Sequence, residues 1–374
     1  MSAPIFILSG VENPKKMPVI SNHRDVANLF NVPFLLQGKA PLQNANEIIK
    51  SRDRGLIIVD SGGKQLAEIN MGRSKKYKRH DSDGSKPIRV GSTLHLAPQH
   101  LAEAVLKLAH VDILMALDDP IAPNKNPDER DSYFHAKLQR NVEWVRQTVN
   151  LKNRFFPHVK IFLPVQCQTL DHFEVFWRKV KKLDLAGLSL PERCFKNAQD
   201  LLPLLRRFSE IGIQGFHFLG SSRLEIIALL CLLGRHNVFE HLAFDSTSWM
   251  QASIRSRIMV PYSLAEVSIV EDKFDKVTKM LISQDNIYKK MDITKIPKFR
   301  KEDQRQILRT LNVRAIIKTK REIYKYALSA ESICTFLKSK SVNLSKVDKI
   351  FNLLSSAENI FRAPYLYEQH NDTL

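Results

Sequence analysis

Gly55-Leu56-Ile57-Ile58-Val59-Asp60-Ser61-Gly62-Gly63-Lys64-Gln65 reads as a strand that ends in a carboxylate and turns on glycines. Three further apolar runs also stop on a polar residue. They are Val111-Asp112-Ile113-Leu114-Met115-Ala116-Leu117-Asp118, Lys160-Ile161-Phe162-Leu163-Pro164-Val165-Gln166 and His241-Leu242-Ala243-Phe244-Asp245. In a parallel barrel the C-terminal ends of all strands open onto one face, and active sites are built there. The expectation is that Asp60, Asp118, Gln166 and Asp245 converge on one pocket.

Outward from these runs, the candidate strands are 33–37, 55–60, 111–118, 160–166, 183–190, 212–219 and 241–245. Helical periodicity fills 98–110, 132–149, 170–182, 197–210 and 222–235. Strand–helix alternation over about residues 30 to 250 predicts an α/β chain, a (β/α)8 TIM barrel. A doubly wound sheet is the alternative, but no Gly-x-Gly-x-x-Gly follows the first strand. We divide the chain into a barrel domain, 1–270, and a C-terminal basic helical region, 271–374. Residues 271–350 hold 20 Lys+Arg against 10 Asp+Glu, with amphipathic spacing in 302–312, 320–328 and 331–339.

The 374 residues carry 57 Lys+Arg and 39 Asp+Glu, a net charge of +18, which points to a polyanionic partner or to a basic, inert surface. A basic stretch at about 70–92 follows the Asp60 loop. Its Lys75, Lys76, Lys78 and Arg79 read as contacts to a nucleic-acid backbone or as a solvated loop. The four cysteines, Cys167, Cys194, Cys231 and Cys334, are scattered with no Cys-x-x-Cys spacing, so no metal site is expected. No run approaches 18 uncharged apolar residues, so the expectation is a cytoplasmic chain with reduced thiols and no membrane partner.

Two carboxylates at strand ends are the minimum for cleaving a glycosidic bond: one attacks or stabilises the anomeric carbon, the other moves protons. The residues alone do not assign these roles. Asp60 with its glycines reads as a ligand loop or as a simple turn. Asp118-Asp119 could hold the donors of a base edge, or cap the turn before Pro120. Gln166 could bond a ligand amide or satisfy backbone; Asp245 could be a nucleophile or an N-cap. Trp249 lies close enough to Asp245 in sequence to line the pocket, or simply packs.

In order and spacing these segments resemble the tRNA-guanine transglycosylase family over about residues 55–250. Asp60-Ser61-Gly62-Gly63-Lys64-Gln65 resembles its Asp-Ser-Gly-Gly-aromatic-Gln loop, and Asp83-Gly84-Ser85 its Asp-Gly-Ser segment. Leu96-Ala97-Pro98 stands where the family has its Ser/Thr-Pro-Glu helix start. Ala116-Leu117-Asp118-Asp119 resembles Ala-Phe-Asp-Glu, and Val165-Gln166 resembles Val-Gln-Gly. Gly187-Leu188-Ser189-Leu190-Pro191-Glu192 is similar to Gly-Leu-Ala-Val-Gly-Glu, His217-Phe218-Leu219-Gly220 to His-Tyr-Leu-Met-Gly, and Phe244-Asp245-Ser246 to Phe-Asp-Cys/Ser. The resemblance implies a TIM barrel that exchanges guanine in nucleic acid for a 7-deazaguanine base. It implies Asp245 as nucleophile on C1′ and Asp60 as general acid/base. Asp118, Gln166, Gly187, Leu188, Ser61, Gly62 and Gly63 would bind the base.

Departures are informative. Lys64 replaces the family's aromatic, Pro120 follows the second acid, and Cys167 stands where a glycine follows the glutamine. The family's zinc site after the nucleophile cannot form, because only Cys334 lies beyond Cys231. No cofactor is therefore expected, and a basic helical region stands in place of the zinc subdomain. This points to the DNA branch of the superfamily, with DNA, a preQ0-like 7-deazaguanine and a possible helper protein that opens or scans DNA as partners. The alternatives are a zinc-free transglycosylase acting on tRNA and a non-catalytic nucleic-acid-binding paralogue.

Overall fold

The structure is a computed structural model, described for residues 3–9, 26–36, 39–50, 55–62, 88–90, 94–121, 127–195, 197–270, 273–284 and 286–368. Twelve strands occur among them: β1 Ile5–Ser9, β2 Val26–Asn31, β3 Ile57–Asp60, β4 Ile88–Val90, β5 Leu94–Leu96, β6 Ile113–Met115, β7 Lys160–Pro164, β8 Gly187–Pro191, β9 Gly215–Leu219, β10 His241–Ser246, β11 Arg257–Met259 and β12 Glu266–Ser268. Eight of them close into a barrel in the order β1-β10-β9-β8-β7-β6-β3-β2, with β4–β5 and β11–β12 as separate antiparallel pairs. The neighbours from β2 through β9 pair in parallel, as the strand–helix alternation predicts.

The first two barrel strands depart from the expectation. The run 33–37 is not a strand. Val32–Leu35 is a single helical turn closed by the Leu36 N–H on the Val32 carbonyl at 3.2 Å. Pro33 explains this, since its fixed φ and missing N–H suit a first turn. The strand is the buried segment immediately before it, Val26–Asn31. The opening strand Ile5–Ser9 lay outside the expected set altogether. The 132–149 helix is longer than its periodicity indicates and spans Pro127–Phe155.

By contacts the chain divides into two compact units. One comprises 7–14 and 26–219, the other 1–6, 15–25 and 220–374. In the first, residues paired in register share a face, and Met115, Phe162, Gly187 and Gly215 form one such row. Ser189 Oγ donates to Met115 Sδ at 3.1 Å across the intervening β7, a contact that only the concave side of the sheet allows. Phe162 fills the same interior. A Cβ built on Gly187 would lie 2.6 Å from Phe162 Cζ and 2.7 Å from the Gly215 carbonyl oxygen, and one on Gly215 2.5 Å from Phe162 Cζ. Both glycines are therefore required by volume. Gly215→Ala is expected to destabilise the protein by about 1–3 kcal/mol through overpacking. Phe162→Leu in the same chain should recover part of that loss, read as a partial return of the urea midpoint.

In the second unit, helix Leu224–Arg235 is apolar nearly all round and buried nearly all round. Its neighbours are the long helices Lys301–Lys325 and Leu344–Glu368. The expected segments 302–312 and 320–328 are one continuous helix to Lys325, and it is not a simple amphipath. Leu308, Leu311, Asn312, Val313, Ile316, Thr319 and Lys320 are all buried. Two polar side chains on it hold the β11–β12 hairpin. Asn312 Nδ2 donates to the carbonyls of Trp249 and Arg257 at 3.1 Å each, and Asn312 Oδ1 accepts the Met259 N–H at 2.7 Å. Thr319 Oγ1 accepts the Tyr262 N–H at 2.7 Å. Leu308 and Leu311 complete an apolar cluster with Ile258, Phe274, Leu281, Tyr288 and Ile293. Among the described residues, no helix is long and apolar enough to cross a membrane.

Candidate active site

Asp60 is the last residue of β3 and is in register with Asn31, the last residue of β2. Adjacent strand ends bring the two side chains together, and Asn31 Nδ2 donates to Asp60 Oδ2 at 2.8 Å. The turn that follows uses glycine for a definite reason. Gly62 has φ +97°, and a Cβ there would lie 2.5 Å from Pro33 Cγ. The ring of Pro33 thus accounts for this glycine without any ligand.

Asp118 lies three residues past the end of β6 and is almost fully enclosed. Ser61 Oγ donates to its Oδ1 at 3.2 Å, and Gln166 Nε2 donates to its Oδ2 at 2.5 Å. Gln166, two residues past β7, is itself oriented because its Oε1 accepts the Ile121 N–H at 3.3 Å. Residues from three successive barrel strands therefore aim one carboxylate. A carboxylate oriented by neutral donors on both oxygens is an acceptor pair, the kind of group that a ligand's N–H donors would seek. Gln166, with one donor and one acceptor group beside it, extends the same polar edge.

Asp119 is held differently from its neighbour. Its carboxylate is fully buried, paired to Lys137 Nζ and Arg140 Nη1 at 2.8 Å each. Its N–H donates to Asn141 Oδ1 at 2.6 Å, Asn141 Nδ2 returns to its carbonyl at 3.2 Å, and Lys137 also reaches the Pro120 carbonyl at 2.7 Å. Lys137, Arg140 and Asn141 stand at i, i+3 and i+4 of helix Pro127–Phe155, one face of it. This clamp fixes the loop that presents Asp118. Sequence reasoning missed both the clamp and Asn31; the i, i+3, i+4 spacing was the available signal for the clamp.

Gly187 and Leu188 are the first two residues of β8, whereas the end of that strand is Pro191. Gly187 makes room for Phe162, and Leu188 is fully buried. The structure thus groups Asp60, Ser61, Asp118 and Gln166 near strand C-terminal ends, and sets Gly187 and Leu188 at a strand start. Gly63 and the basic residues Lys75, Lys76, Lys78 and Arg79 lie outside the described residues.

Asp245, in the second unit, is the penultimate residue of β10, the eighth barrel strand in chain order. Its Oδ1 accepts the Gly220 N–H at 3.1 Å; Gly220 has φ +85°, and the turn needs that conformation. Ser246 Oγ donates to Ser248 Oγ at 2.9 Å and accepts the Ser248 N–H at 3.0 Å, while Ser222 Oγ meets Ser248 Oγ at 2.5 Å. Asp245 is thus a carboxylate at a strand end that accepts a main-chain N–H and is followed by a hydroxyl network. Trp249, the next aromatic, is buried and its carbonyl is tied to Asn312, a packing role.

Three of the four cysteines are held as neutral thiols by their burial. Burial pushes Cys167 well above the usual thiol range, with Cys194 adding to the effect. Burial raises Cys231 to about 12, partly offset by Lys320, and Cys334 to about 11. Because folding raises these three values, the native chain holds protons that the unfolded chain releases. The stability this gives is complete below the unfolded value of 9.0 and is lost as pH rises above it, by up to about 1.4 kcal/mol per pH unit per thiol. The urea midpoint should therefore fall from pH 9 to 11, and the triple serine variant should show a shallower fall. Among the described residues, no group of His, Cys, Asp and Glu could hold a metal ion. No protein-family model matches the chain, and no curated protein matches it.

Proposed function

We propose that this chain is a base-exchange transglycosylase that replaces guanine in DNA with a 7-deazaguanine of the 7-cyano type. Asp245 attacks C1′ of a flipped-out nucleotide, the C1′–N9 bond breaks, and its electron pair goes to the departing base. Asp60 in its acid form protonates that base. The incoming base then gives its N9 proton to Asp60, attacks C1′ and expels the Asp245 carboxylate. One N-glycosidic bond replaces another, so no external energy source is needed. Displacement through a covalent glycosyl-carboxylate follows the logic of retaining glycosidases.

The observation that carries the reading is the Asp118 carboxylate, gripped by Ser61 and Gln166 beside the Asp60 strand end. An acceptor pair with an adjacent amide complements the N1–H, 2-amino and O6 edge of guanine. Base chemistry on a duplex requires flipping, and a chain of net charge +18 suits the flanking phosphates. The missing zinc cysteines favour DNA over tRNA.

The test is a denaturing gel of the full chain incubated with end-labelled DNA and no incoming base. The expected result is a protein-linked label that free guanine discharges. No adduct with DNA, alongside an adduct with tRNA, would refute the DNA assignment.

A further inference from the structure

Helix Lys301–Lys325 carries two arginines, Arg305 and Arg309, one helical turn apart. They share a face with Asn312, at i, i+4 and i+7. Both are half-buried, and the Nε–H of each is shut away from solvent with no hydrogen-bond partner among the described residues. Among the described residues neither makes an ion pair, in contrast to Arg255 and Arg257, which share Glu266, and to Arg206, which pairs with Glu210. Two like charges held a turn apart repel, and burial together with Arg305 makes the Arg309 charge harder to hold; Glu302 offsets this in part. An ordinary solvated arginine keeps its Nε–H in water, so these two carry a desolvation cost that no hydrogen bond among the described residues offsets. A phosphate supplies the missing negative charge, and its oxygens match the outer Nη donors of a guanidinium.

The location bears on the site in the same unit. Asn312 bonds the backbone of Trp249, four residues after Asp245. Arg309 and Arg305 lie about 4.5 Å and about 10.5 Å along the helix axis from Asn312.

We propose that Arg305 and Arg309 form a phosphodiester-binding pair that holds the backbone of the DNA strand undergoing exchange, an inference that rests on the base-exchange reading above. The pair carries no sequence information; it fixes where the strand lies.

The test measures binding of the full chain to a short labelled DNA duplex by fluorescence anisotropy across a salt series. Wild type is compared with Arg305→Gln/Arg309→Gln and with a charge-matched control, Arg206→Gln/Arg255→Gln. Each lost phosphate contact lowers the slope of log affinity against log salt by about 0.9, so the arginine pair should account for about 1.8. Over 50 to 200 mM salt the variant should then lose roughly tenfold less affinity than wild type. The control should keep the wild-type slope, and Arg305→Lys/Arg309→Lys should restore most of it. An unchanged slope in the double glutamine variant, with wild type binding DNA normally, would overturn the arginine pair alone. Wild-type protein that binds no nucleic acid would overturn the base-exchange reading and this inference together.

Discussion

Asp245→Asn is expected to lower DNA base exchange by roughly 10⁴- to 10⁶-fold, the scale seen when a covalent nucleophile is removed. The substitution keeps an oxygen to accept the Gly220 N–H and leaves the serine network intact. Affinity for DNA and the unfolding midpoint should therefore stay close to wild type. The protein-linked DNA band should vanish with the activity. Asp60→Asn should behave differently, losing about 10²- to 10⁴-fold, because a proton-transfer group is worth less than a nucleophile. Exchange by Asp245→Asn within tenfold of wild type would remove that residue from the chemistry.

The second large effect separates two adjacent acids. Asp119→Ala should destabilise the protein by about 3–5 kcal/mol, since it strands Lys137 and Arg140 in a partly buried setting. It also releases the loop that carries Asp118, so any folded fraction should bind base poorly. Asp118→Asn should do the reverse. Its carboxylate takes the Ser61 hydroxyl and the Gln166 amide, and an asparagine can still meet both, so stability should change little. Replacing an acceptor by an amide beside the Gln166 donor should cost base affinity. Urea denaturation of both variants, run beside a base-binding assay, checks the pair. Equal stability losses would mean that Asp118 is also structural.

Much of this architecture was legible because its physics is local. Strands such as Ile57–Asp60 and Lys160–Pro164 are apolar runs between turn signals, and Leu224–Arg235 follows a strand as an apolar helix. The barrel's beginning was not legible in the same way. Val32-Pro33-Phe34-Leu35 is as apolar as a strand, and periodicity cannot separate the two in so short a run. The proline did separate them, and the true strand stood just before it. Asp118 and Asp119 are chemically identical in sequence. Only the fold brings Lys137 and Arg140, 18 and 21 residues later, onto one of them. Gly187 illustrates a further limit: a glycine that makes room for Phe162 looks the same in sequence as one that admits a ligand. Likewise, the charge surplus of the C-terminal region was readable, but not that Lys320 is buried while the Nε–H groups of Arg305 and Arg309 meet no acceptor among the described residues.

The most direct measurement is incorporation of labelled guanine or 7-cyano-7-deazaguanine by the purified full chain into duplex DNA, single-stranded DNA and tRNA side by side. The account predicts label in DNA that depends on Asp245. Label confined to tRNA would contradict the DNA assignment, and no label in any of them, with DNA still bound, would mean a binding protein in place of an enzyme.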